Sequence, residues 1–233
     1  MSKSSRKSGS LVSMSIGVGL AVGLYGISFG ALSTTAGLDL WQTQVLSLLM
    51  FSGGSQFAFI GVIAAGGPAA VGAAVVSAWL LGVRNGFYAI RMNPILEAIG
   101  LKRFVAAQLT IDESTAVATA QESTADQRRG FWLTGAAVYV FWNSMTLLGA
   151  VLGNALGDPK VWGLDAAAAA AFLGLLWPRL RERQALAVAA LAFLIAVITT
   201  PSLPAGLPVI VAGVVAIVIG GFNLFADKKT ETE

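Results

Sequence analysis

The sequence predicts an all-α fold: a polytopic membrane helix bundle of about seven hydrophobic segments, with broken or re-entrant helices. Three observations carry this. Of 233 residues, 56% are apolar and only 12% charged, against about 25% charged in a soluble domain. Mean hydropathy is +0.76. The apolar residues gather in long runs divided by short stretches of turn chemistry. So little charge cannot cover a water-soluble globule, and so much hydrophobicity excludes disorder.

Residues 1–10 are a polar tail bearing Lys3, Arg6 and Lys7, expected on the cytoplasmic side. The apolar run 11–37 follows, too long for the h-region of a signal peptide and better suited to an uncleaved span. Asp39 and Trp41 mark an interface turn. Further runs cover 41–65, 69–95, 131–156, 164–177, 185–199 and 207–225. The run 164–177 is short and Ala-rich, so neighbouring helices should shield it. Gly66-Gly67-Pro68, Gly157-Asp158-Pro159 and Pro201 to Pro204 supply the breaks. Trp41, Trp132, Trp162 and Trp177 stand near segment ends, where interfacial aromatics belong.

This gives a single transmembrane domain over 11–226 between the basic tail and a polar tail at 227–233. Within it, 97–130 is a polar connecting segment, expected to be partly re-entrant. Orientation poses a conflict. Seven full spans would put Arg179, Arg181, Arg183, Lys228 and Lys229 on the side opposite the basic N-terminus, against the positive-inside rule. One broken or re-entrant element repairs the parity. An internal repeat is suggested by Gly30-Ala31 leading to Gly37, echoed by Gly149-Ala150 leading to Gly157.

There is no Cys and no His. Disulfides, thiolate nucleophiles and the usual general base are therefore absent, and no metal or cofactor is expected. The net charge of +3 reads as a membrane-orientation signal and not as a nucleic-acid footprint. An enzyme would need a Ser-Lys dyad or paired carboxylates. Lys102 and Lys160 lie in loops, so the chain is read as a non-enzyme.

Four constellations carry chemistry. The first is Ser52, Gly53, Gly54, Ser55 and Gln56, in the middle of a predicted span. Paired glycines weaken a helix. An interrupted helix frees backbone N–H and C=O groups for a ligand. The plain alternative is close helix packing, with Gln56 bonded to a neighbour.

The second is Arg84, Asn85 and Tyr88, with Arg91 beyond. Arg84 lies 15 residues past Ala69, roughly 22 Å along a helix, inside a hydrocarbon core about 30 Å thick. An arginine at that depth costs roughly 2.5–3.5 kcal/mol on insertion scales. It should face a wet cavity or an acid, as a binding group or as a structural ion pair.

The third is Asp112 and Glu113. Neighbouring acids point to different sides of a helix, so they are not expected to serve one site equally: one would carry a proton and the other pair with an Arg. With His absent, proton coupling falls to such carboxylates. A solvated loop is the alternative. The fourth is Tyr139, Trp142, Asn143 and Thr146. Tyr139, Asn143 and Thr146 make a polar stripe that either lines a cavity or bonds another helix. Asp165 reads as a helix N-terminal residue.

Taken together these stretches resemble the AzlC-type branched-chain amino acid permeases. The resemblance rests on FSGGSQFAFIG (51–61), LGVRNGFYAIRMNPIL (81–96), LTIDESTAVAT (109–119), and Gly135, Tyr139, Trp142 and Thr146 leading to GLDAAAAAAF (163–172). They occur in the family's order. Asn85 stands where family members often carry His. The resemblance implies a secondary transporter in the bacterial cytoplasmic membrane. It would export branched-chain amino acids, and methionine in some members, driven by the proton-motive force. A small AzlD-type membrane subunit would be its partner. The substrate carboxylate would meet Arg84 or the N–H groups near Gly53 and Gly54. Its side chain would pack on Phe57, Phe87 and Trp142, and Asp112 or Glu113 would carry the proton. A passive pore for small solutes and an accessory subunit of a membrane complex are the competing readings.

Overall fold

The structure is a computed structural model describing residues 3–155, 173–174, 176–222 and 224. The turn at 157–159, Lys160, Trp162, Asp165, most of the run 164–177 and the tail 227–233 lie outside the described residues. The described secondary structure is helical: α1 (Lys3–Thr35), α2 (Leu40–Leu49), α3 (Gly53–Gly66), α4 (Val71–Leu96), α5 (Leu101–Gln108), α6 (Asp112–Thr119), α7 (Thr124–Ala155), α8 (Arg183–Thr199) and α9 (Leu207–Gly221). Short 3₁₀ turns precede α4 and α8. Three helical runs are long and apolar enough to cross a membrane: Gly9–Thr35, Gly53–Leu96 and Thr124–Ala155. Helices α8 and α9 are shorter apolar helices.

Local sequence explains the boundaries. Asp39 caps α2 by accepting the Gln42 N–H at 2.7 Å, while Gln42 Oε1 accepts the Asp39 N–H at 2.9 Å. This is the reciprocal capping box, with Asp and Gln in its two roles. Gly67, at φ 60°, turns the chain between α3 and α4 in a conformation that disfavours any Cβ. Ser123 opens α7 by accepting the Asp126 N–H at 3.1 Å.

The bundle is organised on α1 and α7, which pack side by side and parallel. Gly19 faces Ala137, Gly23 faces Phe141, and Gly30 faces Thr146 and Ala150. Thr134 Oγ1 donates to Ser15 Oγ at 2.9 Å, a pair 119 residues apart. A Cβ on Gly30 would collide with the Thr146 carbonyl, and one on Gly149 with the Ile27 carbonyl. Small residues let two backbones approach this closely where no hydrophobic effect separates helix from lipid. The two echoing Gly-Ala segments of the sequence are therefore packed against each other.

Between these helices the chain enters and leaves from both ends. Helix α2 starts beside the C-terminus of α1 and runs inward until Ser47 Oγ lies 3.4 Å from Thr146 Oγ1. Helix α3 then returns: Val62 and Ile63 pack with Ala36 and Leu38. Helix α4 runs back antiparallel to α3, since Gly82 lies against Ser55 and Ala70 against Gly66. At the opposite end Arg128 Nε donates to Ile95 O at 2.6 Å. From that end α5 runs inward to Leu109, which meets Gly135, and α6 returns until Val117 meets Gly130. Two helical hairpins, α2–α3 and α5–α6, thus enter from opposite ends and meet in the middle.

This resolves the orientation conflict. The run 41–65 is broken and folds back instead of crossing. Helix α9 is antiparallel to α8, with Gln184 Nε2 donating to Leu224 O at 3.0 Å. Gly206 packs on Val62 and Ala73. Arg181 and Arg183 consequently lie at the end where α1 begins. Among the described residues, every Lys and Arg except Arg84 is at that end, as the positive-inside rule requires.

Candidate functional site

Breaking a helix strands the last carbonyls of one half and the first N–H groups of the next. In apolar surroundings each stranded group costs several kcal/mol. The break at Met50–Ser52 is repaired from three directions. Gln56 Nε2 donates to Met50 O at 2.7 Å and Ser47 O at 3.3 Å. Gln108 Nε2 donates to Leu48 O at 2.8 Å and Leu49 O at 3.3 Å. Tyr139 Oη also donates to Leu48 O, at 3.3 Å. The opposite break, at Leu109–Ile111, is stitched by Ser114, whose Oγ donates to Leu109 O at 2.6 Å and accepts the Ile111 N–H at 3.1 Å.

Both breaks open onto one cavity of about 410 Å³, within the ~300–1,000 Å³ of small-molecule sites. Ser52, Gly53 and Gly54 border it from the start of α3, and Ile111, Asp112 and Glu113 from the start of α6. Arg84 and Leu81 come from α4. Val22, Tyr25, Phe57, Val138, Trp142 and Leu176 complete a largely apolar wall.

Its charged centre spans two elements. Arg84 Nη2 meets Asp112 Oδ2 at 2.9 Å, with both side chains about one-third exposed. Tyr88 Oη, one helical turn from Arg84, donates to Asp112 Oδ1 at 2.5 Å. Glu113 borders the same cavity and has no ion-pair partner among the described residues. Both acids reach one site because α6 begins there: its first turn presents them at a helix tip instead of on opposite sides of a continuous helix.

Trp142 ties the wall to the break. Its Nε1 donates to Gln56 Oε1 at 2.9 Å. A Cβ on Gly53 would lie 3.0 Å from its ring. Phe29, Phe57 and Trp142 form a mutually packed aromatic set beneath it.

Of the residues singled out from sequence, Ser52, Gly53, Gly54, Arg84, Trp142, Asp112 and Glu113 converge on the cavity. Tyr88 acts on it through Asp112. Gln56, fully buried, and Tyr139 brace the broken helix. Thr146 pairs with Ser47, and Asn143 Nδ2 donates to Tyr139 O at 2.8 Å. Tyr139 and Thr146 therefore bond α7 to α2, Asn143 bonds back onto its own helix, and none of the three borders the cavity. Ser55 and Asn85 face a separate groove of about 490 Å³ on the other side of the break. Phe87 is 67% exposed and lies off the cavity, and Arg91 is exposed beyond the charged centre.

Sequence reasoning missed Gln108, which satisfies two carbonyls of the opposing hairpin. Its signal was a lone amide inside the apolar stretch 104–111. It also missed Val22, Tyr25 and Leu81, ordinary apolar or aromatic positions on long helices.

Comparison with known proteins matches residues 17–156 to the family model described as AzlC protein. That stretch holds α2 to α6 and most of α1 and α7. No curated protein and no solved structure matches the chain.

Proposed function

The chain belongs to the AzlC family of membrane transporters of branched-chain amino acids, and from that premise we propose that it is a secondary exporter of these amino acids, and of methionine, acting at the cavity between the two hairpins. The observation that carries the reading is the convergence of two broken-helix tips and a mid-depth Arg84–Asp112 pair on one apolar-walled cavity. Discontinuous helices whose ends meet near the bilayer midplane are a recurring transporter design. An apolar wall suits a branched aliphatic side chain.

Proton coupling falls to the carboxylates. Asp112 is engaged by Arg84 and Tyr88, so a proton on it would compete with the ion pair and loosen α6 from α4. The membrane is the bacterial cytoplasmic membrane, with the Arg-rich end of the bundle inside. The partner is a small AzlD-type membrane subunit.

The test loads cells with isoleucine- and methionine-containing dipeptides. Efflux is followed for this chain with and without the small subunit encoded beside it, and again after an uncoupler. Coupled export by the pair requires efflux that needs both chains and loses its uphill component with the gradient. Uphill efflux that survives the uncoupler would refute proton coupling.

A further inference from the structure

The two hairpin tips at the cavity differ in charge. Helix α6 carries Asp112 and Glu113 in its first turn, which neutralise its own N-terminal dipole; α3 carries no acid in its first turn. The partial positive charge at the start of α3 is thus unmatched by any acid of its own helix. Arg84 adds to it: a Cβ on Gly54 would lie 3.0 Å from Arg84 Nη2, so the guanidinium rests against the first turn of α3. A cation beside a helix N-terminus is repulsive unless an anion joins them. Ser52 is 8% exposed, borders the cavity, and its Oγ has no hydrogen-bond partner. Arg84 Nε is likewise buried without a partner. Two donors on this side, Ser52 Oγ and Arg84 Nε, are thus without an acceptor, while Arg84 Nη2 is held by Asp112. Across the cavity, Glu113 is the carboxylate left over once Asp112 is paired.

We propose that the cavity is bipolar and binds a free α-amino acid in one orientation: carboxylate at Ser52, Gly53 and Gly54 beside Arg84, and α-ammonium at Glu113. This rests on the transporter reading above and assigns the ammonium, which that reading left unplaced. A zwitterion neutralises both poles at once and brings no net charge into an apolar site. A 2-oxo acid offers only the anion, and an amino acid amide only the cation.

The test uses the full chain co-purified with its small subunit, with radiolabelled isoleucine as the probe. Competitors are unlabelled isoleucine, its 2-oxo acid and its amide. In the parent protein both analogues should compete at least about tenfold more weakly than isoleucine. Glu113→Gln should weaken isoleucine about tenfold and close its gap to the 2-oxo acid. Ser52→Ala should weaken isoleucine and the 2-oxo acid alike. Thermal melting of each variant checks that it is folded, and Glu113→Asp should restore part of the gap. A 2-oxo acid that competes as well as isoleucine, or a gap unchanged in folded Glu113→Gln, overturns the assignment. Isoleucine that does not bind the parent protein at all overturns the amino acid reading itself.

Discussion

Arg84 of α4 and Asp112 of α6 meet at 2.9 Å in the middle of the bundle, where neither a tail nor a surface loop accounts for charge. The pair joins a long apolar helix to the tip of a hairpin that enters from the end where α1 begins. A second bond, from Tyr88 to Asp112 at 2.5 Å, makes the contact two-point. Losing Asp112 would remove both of these side-chain bonds between α4 and α6.

Arg84→Ala should reduce isoleucine efflux by about tenfold or more, since a hydrogen bond to a charged group contributes roughly 1.5–3 kcal/mol. The protein should still reach the membrane. Arg84→Lys should rescue only partly, because an ammonium lacks the planar fork. Full efflux from Arg84→Ala would remove this residue from the mechanism.

Tyr88→Phe deletes one hydroxyl and leaves the ion pair. Efflux should fall several-fold, less than for Arg84→Ala, with the melting temperature nearly unchanged. The ratio of the two losses, measured in the same cells, reports how far Tyr88 acts through Asp112.

Gln56→Leu should destabilise the protein by about 2 kcal/mol or more, because it strips a donor from Met50 O and an acceptor from Trp142 Nε1 in a buried place. Thermal unfolding in detergent measures this. An unchanged melting temperature would mean that water or another side chain replaces the amide.

Gly30→Val should separate α1 from α7 and lose most of the folded protein, since its side chain meets the Thr146 backbone and overpacking costs roughly 1–3 kcal/mol even where side chains can yield. Gly61→Ala is the control, with nothing within 4 Å of its added Cβ. The readout is the monodisperse fraction after extraction.

The chain contains no Cys, so single substitutions report topology cleanly. Ser202→Cys, in the α8–α9 turn, should react with an impermeant maleimide on intact cells. Arg181→Cys should react only after permeabilisation. The reverse pattern would invert the bundle.

Much of this architecture is legible in the sequence. The long apolar runs define helices whatever their neighbours, because a bilayer demands internally satisfied backbone. Gly53-Gly54 marked a break, and Arg84 stood out because charge at that depth is costly. The segment 97–130 was harder. Its acids read equally well as a solvated loop, and only the burial of Ser114 and Ala118 against the bundle shows a helix folded inward.

The sequence by itself determined that this is a helical membrane protein, which family it resembles, and where its scarce charges fall. Local composition suffices for those. The tertiary structure alone decided that the run 41–65 turns back, that two hairpins oppose each other, and that Asp112 and Glu113 share one cavity. The reason is that stranded backbone groups at a break need partners distant in sequence. Gln108 satisfies Leu48 and Leu49 across about 60 residues, a relationship no local pattern encodes.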